Sequence, residues 1–328
     1  MHMHRRIGIL VGLLVAIGPL AAVFPALAGP ALAGGGCLTA GTSGLTAVVV
    51  ATTGQVITGT LDASASGCDL GIYVGPGVTH VTIAGATISG AADEGILVQD
   101  TSLVTIRDTT VTGNGGTHEA FPETKGIQLV GSSLVIVAGN TVSGNAGGIG
   151  IADDGSFDPS APNPGLTRPG SNNQVVNNRV TDSTAGCGIV VAAYNPGAGV
   201  ANNVVLGNTV SGNPAGIVVA ADMPNTTASN TLVLGNTSTG NGYAGIIVHS
   251  NAPGDVVTHT HVVGNTVSGN QPYGILVAAG EGATLGWTDV VANQIAHEFM
   301  GIGHFGDTHT AIAANTMSSV TIPVGVGH

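Results

Sequence analysis

The string GNTVSGN stands at residues 139–145, 207–213 and 264–270, and GNTSTGN at 235–241. Each is followed by a second short string: GIGI at 148–151, GIVV at 216–219, GIIV at 245–248 and GILV at 274–277. Further copies of the second string are GILV at 95–98, GIQL at 126–129 and GIVV at 188–191. The glycines that open them, with Gly301, are spaced 31, 22, 40, 28, 29, 29 and 27 residues apart. A unit of this length that recurs along a chain cannot bury its apolar face alone, so it stacks on its neighbours into a solenoid or array.

Columns inside the repeat specify the unit. Asn140, Asn178, Asn208, Asn236, Asn265, Asn293 and Asn315 occupy one position. Five residues later stand Asn145, Asn213, Asn241 and Asn270, and six earlier stand Asn172, Asn202, Asn230, His259, Trp287 and His309. Apolar runs of three to five residues such as VVL, TVS and GIVV lie between the columns. The unit reads as three short strands joined by three tight turns, with Asn and Gly suited to left-handed turn backbone. Strands of successive coils then pair in parallel about 4.8 Å apart, Val and Ile stack inside, and asparagine amides form ladders. A β-propeller is the other architecture, but it wants four strands in a period of about 40–45 residues.

Composition agrees with the stacked coil and excludes other classes. Glycine numbers 54 of 328 residues and only 7% are charged, so helical bundles rich in Glu and Lys are ruled out. The glycines lack the every-third spacing of collagen. With 43% hydrophobic residues the chain can bury a core, which argues against disorder. Six Lys and Arg against a net charge of -12 leave no basic footprint for nucleic acid.

Arg5 and Arg6 precede an apolar run to Leu27, broken by Pro19 and Pro25 and followed by Ala26-Leu27-Ala28 and Ala31-Leu32-Ala33. This is the pattern of a secretory signal peptide, assigned to residues 1–33. It implies a secreted chain without a membrane anchor after cleavage, expected to be a monomer. Removing both arginines gives -12 - 2 = -14 and leaves Arg107, Lys125, Arg168 and Arg179 as the basic side chains. Residues 34–80 are expected to form an N-terminal cap and first strands, and residues 81–328 the repeats, about nine coils in all. Cys37 and Cys68 are the expected disulfide of an exported chain, and Cys187, beside an apolar strand, a buried thiol.

The N-x-x-x-x-N and GI-V pattern resembles the right-handed parallel β-helix of the pectin lyase-like superfamily. More narrowly, it is similar to the β-helix of NosD-type periplasmic copper-binding proteins. The resemblance covers roughly residues 78–320 and implies the all-β parallel solenoid. It is nearly silent on chemistry, since one fold hosts many functions.

Two excursions, at residues 114–125 and 153–172, interrupt neighbouring coils, and loops on a rigid scaffold usually carry function. Counted from the Gly of each GI string, Asp154, Tyr194, Asp222 and Asn251 fall at the sixth position, Asn195 and Glu281 at the seventh and His249 at the fourth. They form a candidate acidic and aromatic edge for a polysaccharide, with Asp154, Asp222 and Glu281 as candidate acid/base groups. Asp153, Asp154 and Asp158 are candidate calcium ligands. The alternative is a row of solvated turn residues. An enzyme predicts carboxylates and a basic group converging beside the two excursions. The superfamily's lyases use a basic residue and its hydrolases clustered aspartates with Gly-His-Gly; neither pattern is present in full. His259 and His261 in THTH are expected on one strand face as candidate metal ligands, with His249, His297, His304 and His309 in the same region. Trp287, Tyr243 and Tyr273 are candidate sugar-stacking rings. Glu298 and Asp307, near His304, are further acid/base candidates. The sequence thus supports a carbohydrate-binding or structural role, with a polysaccharide lyase or hydrolase and a copper binder as the alternatives.

Overall fold

The computed structural model describes residues 36–41, 44–115, 125–154, 168–306 and 308–327. The segment expected to be a signal peptide, Asp158 and Asp307 lie outside the described residues. Every regular element among them is a strand, and no helix is long and apolar enough to cross a membrane.

The strands form two sheets that run the length of a solenoid. The first has twelve strands, in chain order from Leu38–Ala40 to Ile322–Gly327. Leu38–Ala40 pairs antiparallel with Leu45–Val50, and the rest of the sheet is parallel. The second has twenty-two strands and is wound from the remaining sides of each coil. Leu45–Val50 pairs with Leu70–Val74, and Val56–Asp62 pairs with Thr82–Ser89. Stacking therefore begins near residue 45, inside the segment expected to hold the cap and first strands. Cys37 and Cys68 are joined as a disulfide beside this first coil, and Cys187 is a half-buried thiol.

The coil with the shortest interval has the three expected strands, Ile127–Val130, Ile136–Ala138 and Thr141–Ser143. Coils of 28 or 29 residues use their extra length for a fourth, as in Ala244–Ser250, Val256–Thr258, His261–Val263 and Thr266–Ser268. Inside, one column of isoleucines runs Ile72, Ile96, Ile127, Ile149, Ile189, Ile217, Ile246, Ile275 and Ile302, all fully buried. Each such side chain removed from water contributes about 1.5–3 kcal/mol before chain entropy is counted.

The asparagines have a more specific role than turn formation. The left-handed residue is the one before each, such as Gly139, Asn177, Gly207 and Gly235. The ladder asparagine points inward and is buried. Asn236 Oδ1 accepts from the backbone N–H and the Nδ2 of Asn208, both at 2.9 Å. Its own Nδ2 donates to Val205 O at 2.9 Å and Asn265 Oδ1 at 3.0 Å. Every donor and acceptor of the amide's two ends is used, and the pattern repeats from Asn140 to Asn315. The second column is shorter: Asn213, Asn241 and Asn270 link directly, and Asn114 links to Asn145. The glycines of the GI strings serve this column. A Cβ on Gly245 would lie 2.8 Å from Asn270 Nδ2 and 2.5 Å from Val267 Cγ1, so close approach and not turn geometry demands glycine there.

The third column differs from expectation. Asn172, Asn202, Asn230, His259 and Trp287 hold the left-handed bend, and the inward position is one residue later. There Asn173 accepts from Val135 N and donates its backbone N–H to Asn203, at 3.0 Å each. The position then passes to Thr231, Thr260 and Thr288, whose buried hydroxyls find no hydrogen-bond partner among the described residues.

Glu298 occupies the asparagine position of the second column, five residues after Asn293. Its Oε1 accepts from Asn270 Nδ2 at 2.9 Å, while Oε2 is buried without a partner. Burial pushes its carboxyl above the ordinary value of 4.5. Glu298 is therefore a ladder terminus and not an exposed acid.

Two predictions follow from the ladders. Asn236→Ala leaves two buried N–H groups of Asn208 without an acceptor, each costing about 1–3 kcal/mol. The urea midpoint of this variant should fall well below that of Asn315→Ala, where the ladder is only half-buried; equal midpoints would refute the ladder's role. For Glu298, a raised folded pKa means that folding takes up a proton. Its stabilising effect is full below about pH 4.5 and is lost as pH rises through the folded pKa. Glu298→Gln should match the parent in acid and exceed it at neutral pH in thermal melts. A constant difference across pH would contradict this.

Candidate functional site

The expected acidic edge does not form one surface. Asp153 is buried, and its carboxylate accepts from the backbone N–H of Tyr194 at 2.8 Å, Asn195 at 3.0 Å and Gly199 at 2.8 Å. Burial raises its pKa against these donors. Asp153 thus pins the neighbouring coil's turn. Tyr194 and Asn195 are buried, Tyr194 in an apolar cluster with Ala192 and Val218. Asp222 and His249 do meet, His249 Nε2 lying 3.3 Å from Asp222 Oδ1. Asn251 and Glu281 are exposed, whereas Asp153 and Asp154 are buried.

The histidines do not converge either. His259 has a left-handed backbone and sits between Val256–Thr258 and His261–Val263. The bend breaks the alternation that would have put His259 and His261 on one strand face. His259 stacks on Trp287 with ring centroids 6.4 Å apart, and Trp287 stacks on His309 at the same spacing. His261 Nδ1 lies 2.8 Å from Asp289 Oδ2. Among the described residues no three His, Cys, Asp or Glu are placed to hold a metal ion. The described histidines do not fit a copper centre.

The structure brings together a polar cluster that the sequence columns missed. It lies on the outer face of the twelve-stranded sheet, between the two excursions. Tyr73 Oη donates to Gln99 Oε1 at 3.2 Å, and Gln99 Nε2 donates to Asp154 Oδ2 at 3.4 Å. Arg168 Nε is 3.6 Å from Asp100 Oδ1, and its Nη1 donates to Asp100 O at 3.0 Å. Gly131 lies at the centre: a Cβ there would be 2.5 Å from Asp100 Oδ1, 2.7 Å from Asp154 Cβ and 3.0 Å from Arg168 Cβ. Tyr73, Gln99, Asp100 and Asp154 are buried, as is nearby Lys125. Burial raises the Asp100 carboxyl more than Arg168 lowers it. Burial, then the charges of Asp100 and Asp154, push the Tyr73 phenol up to about 12. Asp154 and Arg168 also exchange backbone hydrogen bonds of 2.8 and 3.1 Å, closing the neck of the second excursion. The missed signal is Asp100, which lies five residues after Gly95, one short of the column that contains Asp154.

A second constellation lies on the same outer face, at the C-terminal end. Tyr243, Tyr273 and Phe305 contact edge to face, with centroids 5.7 and 6.0 Å apart. Gly303 gives the rings room, since a Cβ there would lie 2.8 Å from Phe305 Cε2 and 3.0 Å from Tyr273 Cδ1. Tyr243 is 49% exposed, and Phe299, which precedes the strand paired with Tyr273, is 56% exposed. His249 shares the outward row with Phe305 through Ala278.

These features define a right-handed parallel β-helix solenoid. The chain belongs to the right-handed beta helix family, whose model matches residues 47–232. A model described as periplasmic copper-binding protein (NosD) matches residues 165–325. A comparison with curated proteins finds no match. Among solved structures, the A-module of mannuronan C-5 epimerase AlgE6 of Azotobacter vinelandii is 19% identical with a TM-score of 0.60, covering 86% of this chain and 76% of that one. The surface adhesin PfbA of Streptococcus pneumoniae is 12% identical with a TM-score of 0.54, covering 84% and 80%. The polygalacturonase of Erwinia carotovora ssp. carotovora is 13% identical with a TM-score of 0.50, covering 83% and 74%. At such identities the likeness is one of fold.

Proposed function

We propose that this protein is an exported carbohydrate-binding β-helix whose ligand lies along the outer face of the twelve-stranded sheet. The observation that carries the reading is the chain of rings Tyr243–Tyr273–Phe305, on a rigid sheet in a protein with 3% aromatic residues. An exposed ring gains by covering the apolar face of a sugar. The Asp222–His249 pair beside it supplies hydrogen bonds to hydroxyl groups. Export is supported by the signal pattern and by the Cys37–Cys68 disulfide, which suits an oxidising compartment. Two solved neighbours are named for polysaccharide chemistry and one as a surface adhesin, and these names support the class of ligand.

A glycan array would identify the ligand, and calorimetry with Tyr243→Ala and Phe299→Ala would test the face. Each variant should weaken binding by about tenfold, equivalent to roughly 1.4 kcal/mol. Unchanged affinity in both variants would remove the proposed face.

A polysaccharide lyase or hydrolase is the second reading, favoured by one observation: Asp100, Asp154 and Arg168 converge beside the excursions. Perturbed carboxyl and phenol groups around one cation mark a candidate acid/base site. This reading predicts product release from neutral or acidic polysaccharides by the parent. It also predicts a loss of at least about a hundredfold in Asp100→Asn, the scale of general acid–base catalysis. Equal turnover by parent and variant would discard it.

A further inference from the structure

Trp287 is the only tryptophan of the chain, and it is 68% exposed. It stands at an outer bend of the twenty-two-stranded sheet, with His259 in the coil before it and His309 in the coil after. The three rings are nearly parallel, tilted by 14° and 24°, with centroids 6.4 Å apart at each step. His259 and His309 are exposed as well. The exposure is that of a bend and not of an end, since the strand that carries Trp287 is paired on both sides, with Val256–Thr258 and with Thr308–Ala313. Nor does the bend call for an indole. Asn172, Asn202 and Asn230 hold the same left-handed backbone in the preceding coils, and a bulky side chain rarely adopts it.

The polar groups beside these rings repeat a combination found on the outer face of the twelve-stranded sheet. Two residues after the bend, His261 Nδ1 lies 2.8 Å from Asp289 Oδ2. On the outer face, the rings of Tyr243, Tyr273 and Phe305 stand beside Asp222 and His249, whose charged atoms are 3.3 Å apart. Each place therefore joins a row of three rings to an imidazole–carboxylate pair, on successive coils but in different sheets. Ring faces cover the apolar face of a sugar, and a few placed polar groups bond its hydroxyls. At the bend the rings form a single file, one residue wide, along the solenoid axis. Such a file fits an extended sugar chain and not the broad face that a protein partner needs. With a net charge of -12 the chain favours a neutral glycan over an acidic one.

We propose that the His259–Trp287–His309 bend is a second binding site for a neutral glycan, which makes the protein bivalent. The class of ligand rests on the carbohydrate reading above, whereas the site is separate from the outer sheet face.

Calorimetry and indole fluorescence with cellohexaose, laminarihexaose and mannohexaose test the proposal. Because the chain has a single indole, its emission reports on this bend alone. At least one hexasaccharide should change the emission saturably and fill two sites per chain. Trp287→Asn places at this bend the residue that Asn230 supplies two coils earlier, so the fold is kept, and one site should remain. Tyr243→Ala should weaken only the other site and leave the emission change with the same midpoint. Heat from one site with no emission change would overturn the bend site and leave the outer face standing. An emission change lost in Tyr243→Ala would overturn it too, because the two places would then be one site. Neither heat nor an emission change with any of the three sugars would overturn both readings.

Discussion

The asparagine ladder is the interaction on which the rest of the structure depends. An amide inside an apolar core costs several kcal/mol unless each polar atom is paired. Asn236 meets this condition only because a coil lies on either side: Asn208 supplies the donors to its Oδ1, and Asn265 and Val205 supply acceptors for its Nδ2. The same groups that would break an isolated coil therefore tie successive coils together. They also fix register, since a slip by one residue would strand every amide in the ladder and turn the isoleucine column outward. Where the third column changes from Asn203 to Thr231, Thr260 and Thr288, the side-chain bonds along the axis stop. The backbone bonds continue there, and the fourth strand of the longer coils, such as Thr227–Ser229 and Val256–Thr258, pairs beside this bend.

A self-sufficient core leaves the outer face of the twelve-stranded sheet available for other uses. Its outward rows change character along the axis. At the N-terminal end they carry Tyr73 and Gln99, bonded toward Asp154. In the middle they carry Val190, Val218 and Ala220, and at the far end Tyr273 and Phe305. The inward rows on the same strands are Ile, Val and Leu as far as His304. Variation confined to one side of a strand, with the other side fixed, is what a scaffold bearing a binding face requires.

Much of the fold was legible because ladder formation requires identical residues at identical positions in successive coils. The strings GNTVSGN and GIVV record that requirement, and they place the asparagine columns and the isoleucine column correctly. The site was less legible. Residues of the outer face need not match their neighbours, so Tyr73, Gln99 and Asp100 belong to no repeated string. Asp154 stands in register with Tyr194 and Asp222, as the count has it, whereas Asp100 stands one position earlier in its coil and meets Asp154 across the stack, which a count along one register does not find. The THTH segment misled for a related reason: a single left-handed residue at His259 interrupts the strand that its alternating pattern suggests. Left-handed backbone at His or Trp is uncommon. The bend is set by the coil beneath and above, not by the residue that occupies it.

The shortage of basic side chains takes on a different meaning once they are placed. On a chain of net charge -12 an acidic polymer is repelled at long range. Of the four basic residues after Arg6, Arg107 pairs with its neighbour Asp108 at the surface, and Arg179 is exposed on the second sheet. Lys125 is buried, and Arg168 faces Asp100. An acidic sugar would have to compete with Asp100 for Arg168. A neutral glycan resting on Tyr243, Tyr273 and Phe305 meets no such competition. The charge distribution and the aromatic chain therefore favour the same class of ligand, a neutral one, at the C-terminal end of the face.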